Sequence, residues 1–290
     1  MSLLHVIVLS IVQGMAELLP VSSSAHVIVV AKLLHENMST PTNSLLLVLL
    51  HTGTMFAVIA YFWRRWMTEF FSSWSRFYPF ARLIAIASTC SAVVFLPVQA
   101  GVKRILGGGG QAVDIESLFN RLDWIAPALA AVGLLILVAG VRELRRSSAA
   151  EAAGPPGLRW ADAVVMGALQ GLAIPFRGFS RSGATISGGM LTDRPRTEVE
   201  SFSFAMVVVI TPFAILWELR RAIRSAHAAG GLHWGVLIGP GLVGMGFSFL
   251  AGLLALRWLS RWLEQGRWYR FGIYCLAFAA FVGWLSSRGW

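Results

Sequence analysis

Six apolar stretches decide what this chain can become: Leu45 to Trp63, Leu83 to Gln99, Ile125 to Val141, Phe202 to Leu219, Trp234 to Leu256 and Phe271 to Leu285. A helix needs roughly 20 apolar residues to cross a bilayer, and only helices or closed barrels satisfy their own backbone there. Each stretch suits one helical crossing. Composition agrees, because 56% of the residues are hydrophobic and 13% charged, where a soluble domain carries about 25% charged residues. The expected fold is an all-α polytopic membrane protein. The formal charge of +10 would suit nucleic acid, but the bases fall in short clusters between apolar runs, as in the cytoplasmic loops of a membrane protein. No nucleic-acid partner is expected. Cys90 and Cys275 lie inside apolar segments and imply neither a disulfide framework nor a metal spacing. The first residues lack a basic n-region and a small-residue cleavage site, so no signal peptide is expected.

Four further apolar runs are too short to cross. Ser2 to Gln13 and Val27 to Leu34 flank a polar, proline-containing turn, and Ala161 to Leu169 and Ile186 to Leu191 flank the loop Gln170 to Thr185. Each pair predicts a re-entrant hairpin with its turn at membrane depth. The chain then reads as hairpin plus three spans, twice: half one over 1–141, a linker over 142–160, half two over 161–290, in one membrane domain. The turns share Gln13-Gly-Met-Ala and Gln170-Gly-Leu-Ala. An odd number of spans per half inserts the halves in opposite senses, which predicts an inverted-topology repeat with broken helices meeting at the midplane.

Basic residues orient this arrangement. Loops 64–82, 142–160 and 257–270 fall on one side and carry Arg64, Arg65, Arg76, Arg82, Arg142, Arg145, Arg146, Arg159, Arg257, Arg261, Arg267 and Arg270, which marks that side as cytoplasmic. Arg220, Arg221 and Arg224 fall on the other side, as does the loop from Lys103 to Arg121 with Asp114 and Glu116. Both termini and the mouth of the first hairpin are then expected outside.

The chemistry concentrates in the two turns. In Gln170 to Thr185, Gly171, Gly178 and Gly183 let backbone approach a ligand, Ser180, Ser182 and Thr185 offer hydroxyls, and Arg177 and Arg181 offer guanidinium forks that match phosphate oxygens. Charge inside a membrane is costly and marks function. In the first turn Glu17 follows Gln13 by four residues, on one helical face, with Ser22, Ser23, Ser24 and His26 close behind. Each has a plainer role, such as a backbone-bonded serine, a satisfied interior histidine or a helix-end carboxylate. Together they supply an anion clamp, a nucleophile and proton carriers, the set for phosphoryl transfer or hydrolysis.

The stretch Gln13-Gly-Met-Ala-Glu-Leu-Leu-Pro-Val-Ser-Ser-Ser-Ala-His26, with Gly178-Phe-Ser-Arg-Ser-Gly-Ala-Thr-Ile-Ser-Gly-Gly189, resembles the undecaprenyl-diphosphate phosphatase family associated with bacitracin resistance. The similarity extends over nearly the whole chain, including Phe62-Trp-Arg-Arg65 and Glu200-Ser-Phe-Ser-Phe204. The family's (Glu or Gln)-x-x-x-Glu motif falls on Gln13 and Glu17, Pro-Val-Ser-Ser on Pro20 to Ser23, its histidine on His26, and Ser-Arg-Ser-Gly-(Ala or Val)-Thr on Ser180 to Thr185. The resemblance implies a bacterial inner-membrane enzyme that removes the terminal phosphate of a C55 polyprenyl diphosphate at a site open to the outer face. That would recycle the lipid carrier for peptidoglycan and other envelope glycans. The implied partners are the lipid substrate and the bilayer, and a homodimer is compatible. A divalent cation, Mg2+ or Ca2+, is the implied cofactor, and Glu17 with Gln13 either holds that ion against the diphosphate or orients the base. The family's second loop usually reads Pro-Gly-Thr-Ser-Arg; here Pro175-Phe-Arg-Gly-Phe-Ser-Arg181 is one residue longer and adds Arg177, and Gln13 stands where Glu is commoner.

The mechanism expected on these residues has Arg181 and the amides of Ser182, Gly183 and Thr185 holding the diphosphate. Ser23 attacks the terminal phosphorus, and His26 manages the proton; His26 as nucleophile with Ser23 positioning is equally physical. A polyprenyl-phosphate flippase using the same midplane site is the alternative, since inverted repeats also build secondary transporters. Phosphatidate-type membrane phosphatases are set aside, because the only Ser-Arg-Ser-Gly lacks a following His.

Overall fold

The computed structural model describes residues 1–38, 40–106, 121–145, 157–228 and 234–290. The described residues form ten helices and no strand: α1 (Leu3–Leu18), α2 (Ser23–Leu33), α3 (Pro41–Glu69), α4 (Trp74–Leu106), α5 (Leu122–Arg145), α6 (Trp160–Ala173), α7 (Arg181–Leu191), α8 (Arg196–Ala228), α9 (Trp234–Glu264) and α10 (Tyr269–Ser287). Six of them, α3, α4, α5, α8, α9 and α10, are long and apolar enough to cross a membrane. The expected spans are all present but extend further, as in α4, which starts at Trp74 rather than Leu83. Helix does not stop where apolarity stops, because Arg and Trp at the ends are good enough helix formers to continue it. Most of the linker over 142–160, the Gly107 to Gly110 loop, Asp114, Glu116 and Arg146 lie outside the described residues.

The short helices pair as α1 with α2 and α6 with α7. Local chemistry sets their limits. Ser2 caps α1 by accepting from the His5 amide at 3.2 Å, and Pro20 follows its end; Ser180 caps α7 by accepting from the Gly183 amide at 3.2 Å. Two expectations are corrected here. α1 runs through Gln13 to Leu18, and the loop Gln170 to Thr185 shrinks to 174–180, since α6 continues to Ala173 and α7 starts at Arg181.

Small residues let these helices approach the long ones closely, the usual means of packing where lipid supplies no hydrophobic drive. A Cβ on Gly14 would sit 2.5 Å from the Ser248 carbonyl of α9, and one on Gly171 would sit 2.3 Å from the Ser91 carbonyl of α4. Gly171 therefore serves packing and not a ligand. Its neighbour Gln170 is fully buried and donates to Ser91 Oγ at 3.0 Å. The glycine of the repeated Gln-Gly dipeptide thus does the same packing job twice: α1 lies on α9 as α6 lies on α4.

Ion pairs gather at one end of the bundle. Arg194 meets Asp162 at 2.7 Å, with side chains 1% and 3% exposed, and removing one member of such a buried pair costs about 3–5 kcal/mol. Arg196 bonds Glu143 at 2.5 Å and the Leu263 carbonyl at 3.0 Å. These contacts join the mouth of the α6–α7 hairpin to the ends of α5 and α9. The mouth of the α1–α2 hairpin, where His5 lies 2.7 Å from Glu36, is at the other end, because α1 runs alongside α9 with Val6 near Gly244 and Gly14 near Ser248. The two hairpins therefore point at each other, tip to tip.

Candidate active site

The tips bring their polar residues into one place. Ser22, the N-cap of α2, has φ 69 and ψ 95, a conformation that costs a non-glycine residue about 1–3 kcal/mol and persists only where the surroundings fix it. It starts α2 directly after the turn, so that Ser23 Oγ donates to Glu17 Oε2 on α1 at 2.5 Å. Across from it, Gly178 holds φ 96 and donates its amide proton to Ser24 Oγ at 3.2 Å. A Cβ there would meet the Ile125 carbonyl at 2.5 Å. Gly178→Ala should lower stability by about 1–3 kcal/mol from backbone strain alone, read as a fall in melting temperature of the purified protein; an unchanged melting temperature would contradict the tip geometry.

Glu17 is the centre of the site. Its Oε1 accepts from Arg181 Nη2 at 2.6 Å, and its Oε2 accepts from Ser23 and, at 3.2 Å, from Gln13 Nε2. The carboxylate is 10% exposed, so these charged hydrogen bonds act in a poorly screened setting. One residue thereby joins α1, α2 and α7. His51, on α3, completes the cluster with Nδ1 3.0 Å from Gln13 Nε2 and 3.7 Å from Glu17 Oε2. It escaped the sequence analysis inside the stretch Leu45 to Trp63, although an ionisable residue in a span was itself the signal.

A cavity of about 220 Å³ opens on this cluster, lined by Glu17, Ser22, Ser23, Ser24 and His51 from one half and Arg177, Ser180, Arg181 and Ser182 from the other. Gln13 lies behind Glu17 and does not line it. Four further expected residues do not line it, and of these Gly178 gives its amide to Ser24 Oγ. The Gly183 amide is occupied by Ser180 Oγ. Thr185 Oγ1 bonds Ser203 Oγ and the Arg181 carbonyl and is buried against α8. His26 faces away: Nδ1 lies 2.8 Å from the Ser22 carbonyl, Nε2 lies 2.7 Å from Tyr274 Oη, and its ring stacks on Phe278 with centroids 4.1 Å apart. It lines a second, apolar cavity of about 540 Å³ with Met15, Leu19, Trp258, Trp262 and Tyr274, which adjoins the first at Ala16.

A serine hydroxyl bonded to a carboxylate that also holds an arginine has the groups that phosphoryl chemistry uses, a nucleophile, a base and an anion clamp. The family described as Bacitracin resistance protein BacA matches residues 6–281. The chain belongs to the BacA family. Among curated BacA-like relatives, the Undecaprenyl-diphosphatase 2 of Acinetobacter baylyi is 48% identical over 285 residues, 97% of either chain. The Undecaprenyl-diphosphatase of Idiomarina loihiensis is 32% identical over 288 residues, 96% of this chain and 97% of the relative. That of Myxococcus xanthus is 30% identical over 294 residues, 100% of this chain and 91% of the relative.

The donor set can be tested against the divalent cation implied by the BacA resemblance. Among the described residues no three of His, Cys, Asp and Glu come together. Glu17 is the one carboxylate lining the cavity, and both its oxygens are engaged. Hard cations such as Mg2+ and Ca2+ need several oxygen ligands. The residues present do not form a dedicated cage for such an ion.

Proposed function

We propose that this chain hydrolyses undecaprenyl diphosphate to the monophosphate and inorganic phosphate in the bacterial inner membrane, recycling the carrier lipid of peptidoglycan and other envelope glycans, with bacitracin resistance as a consequence. The observation that carries this is the Glu17 carboxylate held between Ser23 and Arg181 at the meeting of the tips. Family membership and the relatives' names support it, and those names lend nothing to the flippase alternative.

In this mechanism the diphosphate exchanges places with Glu17 on the Arg181 fork, and Arg177, on the same cavity wall, meets the second phosphate. Ser23 Oγ bonds to the terminal phosphorus as the bridging P–O bond breaks, its proton passes to Glu17 Oε2, and the prenyl monophosphate leaves. Water then attacks the phosphoserine, the Ser23 Oγ–P bond breaks as Oγ takes its proton back from Glu17, and the water's oxygen and protons leave with phosphate. Ser23 is the nucleophile and Glu17 the base in this scheme, and His26, turned toward Tyr274, has no part in the proton transfer. Any divalent cation would come with the diphosphate, and this chain would offer it one carboxylate at most, Glu17. The prenyl tail lies in the apolar cavity beyond Ala16.

The tip-to-tip hairpins and the matched packing of Gly14 and Gly171 support an inverted-topology repeat with both hairpins re-entrant, in a single domain over 1–290. Arg142, Arg145, Arg159, Arg261 and Arg267 lie at the ends of helices joined by the Arg194–Asp162 and Arg196–Glu143 pairs. That end is cytoplasmic by the positive-inside rule, and the site serves substrate from the outer face.

The test is phosphate release from a C55 polyprenyl diphosphate by purified protein in detergent micelles, without any gradient, with and without EDTA. Steady release is expected, and EDTA should lower it only as far as the ion assists the substrate. Folded protein that releases no phosphate in the presence of Mg2+ or Ca2+ would refute the function.

A further inference from the structure

Gln13 has two amide protons and two acceptors in reach, Glu17 Oε2 at 3.2 Å and His51 Nδ1 at 3.0 Å. With the imidazole protonated at Nε2, Nδ1 accepts one amide proton and thereby fixes the direction of the other, toward the oxygen that also holds Ser23. Gln13 is 2% exposed, so its amide is shielded from bulk water. A Glu at position 13 would set a second carboxylate against Glu17, and when ionised it could donate neither to Glu17 nor to His51 Nδ1. An amide at 13 needs an acceptor on its far side, and α3 provides it.

We infer that His51 is a positioning residue for the phosphatase reaction: through Gln13 it holds the Glu17 carboxylate in the orientation that receives the Ser23 proton. The inference rests on the proposed function, since it assigns a support to that same base. His51 acts here as an acceptor through Nδ1, and its role is geometric. The groups facing it are Gln13 and Glu17 from α1 and the Arg181 guanidinium beyond Glu17. A base displaced by about 1 Å can lose on the order of 100-fold in rate, which sets the scale of the effect.

The experiment compares His51→Leu, His51→Asn and Gln13→Met with the wild type for phosphate release in micelles, with melting temperatures and gel filtration to establish folding. Asn presents its Oδ1 about where Nδ1 stands and can accept the same proton; Leu cannot. His51→Leu should lose at least about 30-fold in kcat with KM within about 3-fold, a split that marks an interaction needed in the transition state. His51→Asn should recover to within about 5-fold of wild type. Gln13→Met should match His51→Leu, and the double variant His51→Leu/Gln13→Met should lose no more than either alone, because the two residues act as one link. Multiplying losses, a Leu variant within about 3-fold of wild type, a loss confined to KM, or an Asn variant as poor as Leu would each overturn the inference. Where His51→Leu does not fold, Gln13→Met reads the same link with His51 intact, and wild-type kcat in that variant overturns it equally. Absence of release by the wild type refutes the function instead, so the two failures are separable.

Discussion

Arg181→Lys should lower kcat for polyprenyl-diphosphate hydrolysis by about 100-fold or more, within the range lost when one preorganised donor to a developing oxyanion is removed. Lysine keeps the charge, so a purely electrostatic role would leave activity largely intact. What it loses is the planar fork, which can hold two phosphate oxygens at once and, in the resting site, reaches Glu17 Oε1 from the first turn of α7 at 2.6 Å. Phosphate release by the folded variant in micelles decides the matter. A kcat within about 5-fold of wild type would remove Arg181 from the place assigned to it.

Glu17→Gln should cost about 1,000-fold in kcat, inside the usual range of about 100- to 10,000-fold for a general base. The substitution preserves shape and leaves an oxygen for Arg181, but the amide takes no proton from Ser23. KM should stay level or fall, because a neutral amide competes less well than a carboxylate for the guanidinium that phosphate must reach. Single-turnover release at saturating substrate measures the chemical loss. A kcat within about 10-fold of wild type would mean that Ser23 is deprotonated by some other group or is not the nucleophile.

The architecture was largely legible because membrane solvent makes it so. Stretches such as Ile125 to Val141 have one stable conformation in lipid, and the structure extends that one to Leu122–Arg145. The two turns were legible as sites because Glu17 and Arg181 sit where ionised groups are expensive. What the sequence did not disclose was direction. Ser23 and His26 are one helical turn apart, yet Ser23 meets Glu17 while His26 meets Tyr274, and a partner 248 residues distant leaves no local trace. Gln170 and Thr185 carry the polarity of site residues and spend it on Ser91 and Ser203, holding helices together. His51 shows the converse, a member of the Glu17 cluster that lies inside an otherwise unremarked span. Motif residues were found by type, and only packing sorted those that face the cavity from those that brace it.

The occupation of the Arg181 fork by Glu17 in the resting protein makes the enzyme a discriminator of headgroup charge. An incoming anion gains the guanidinium only by outcompeting a carboxylate already seated at 2.6 Å. A diphosphate end, with more negative charge and more oxygens than a monophosphate, is better equipped to do so. The same competition then works after turnover: once phosphate has left and Glu17 has given its proton back to Ser23, the restored carboxylate contends with any prenyl monophosphate for the arginine. Turnover in a membrane crowded with singly phosphorylated lipid would thus resist clogging by its own product, through a rivalry between two anions for one cation that needs neither a lid nor a hinge.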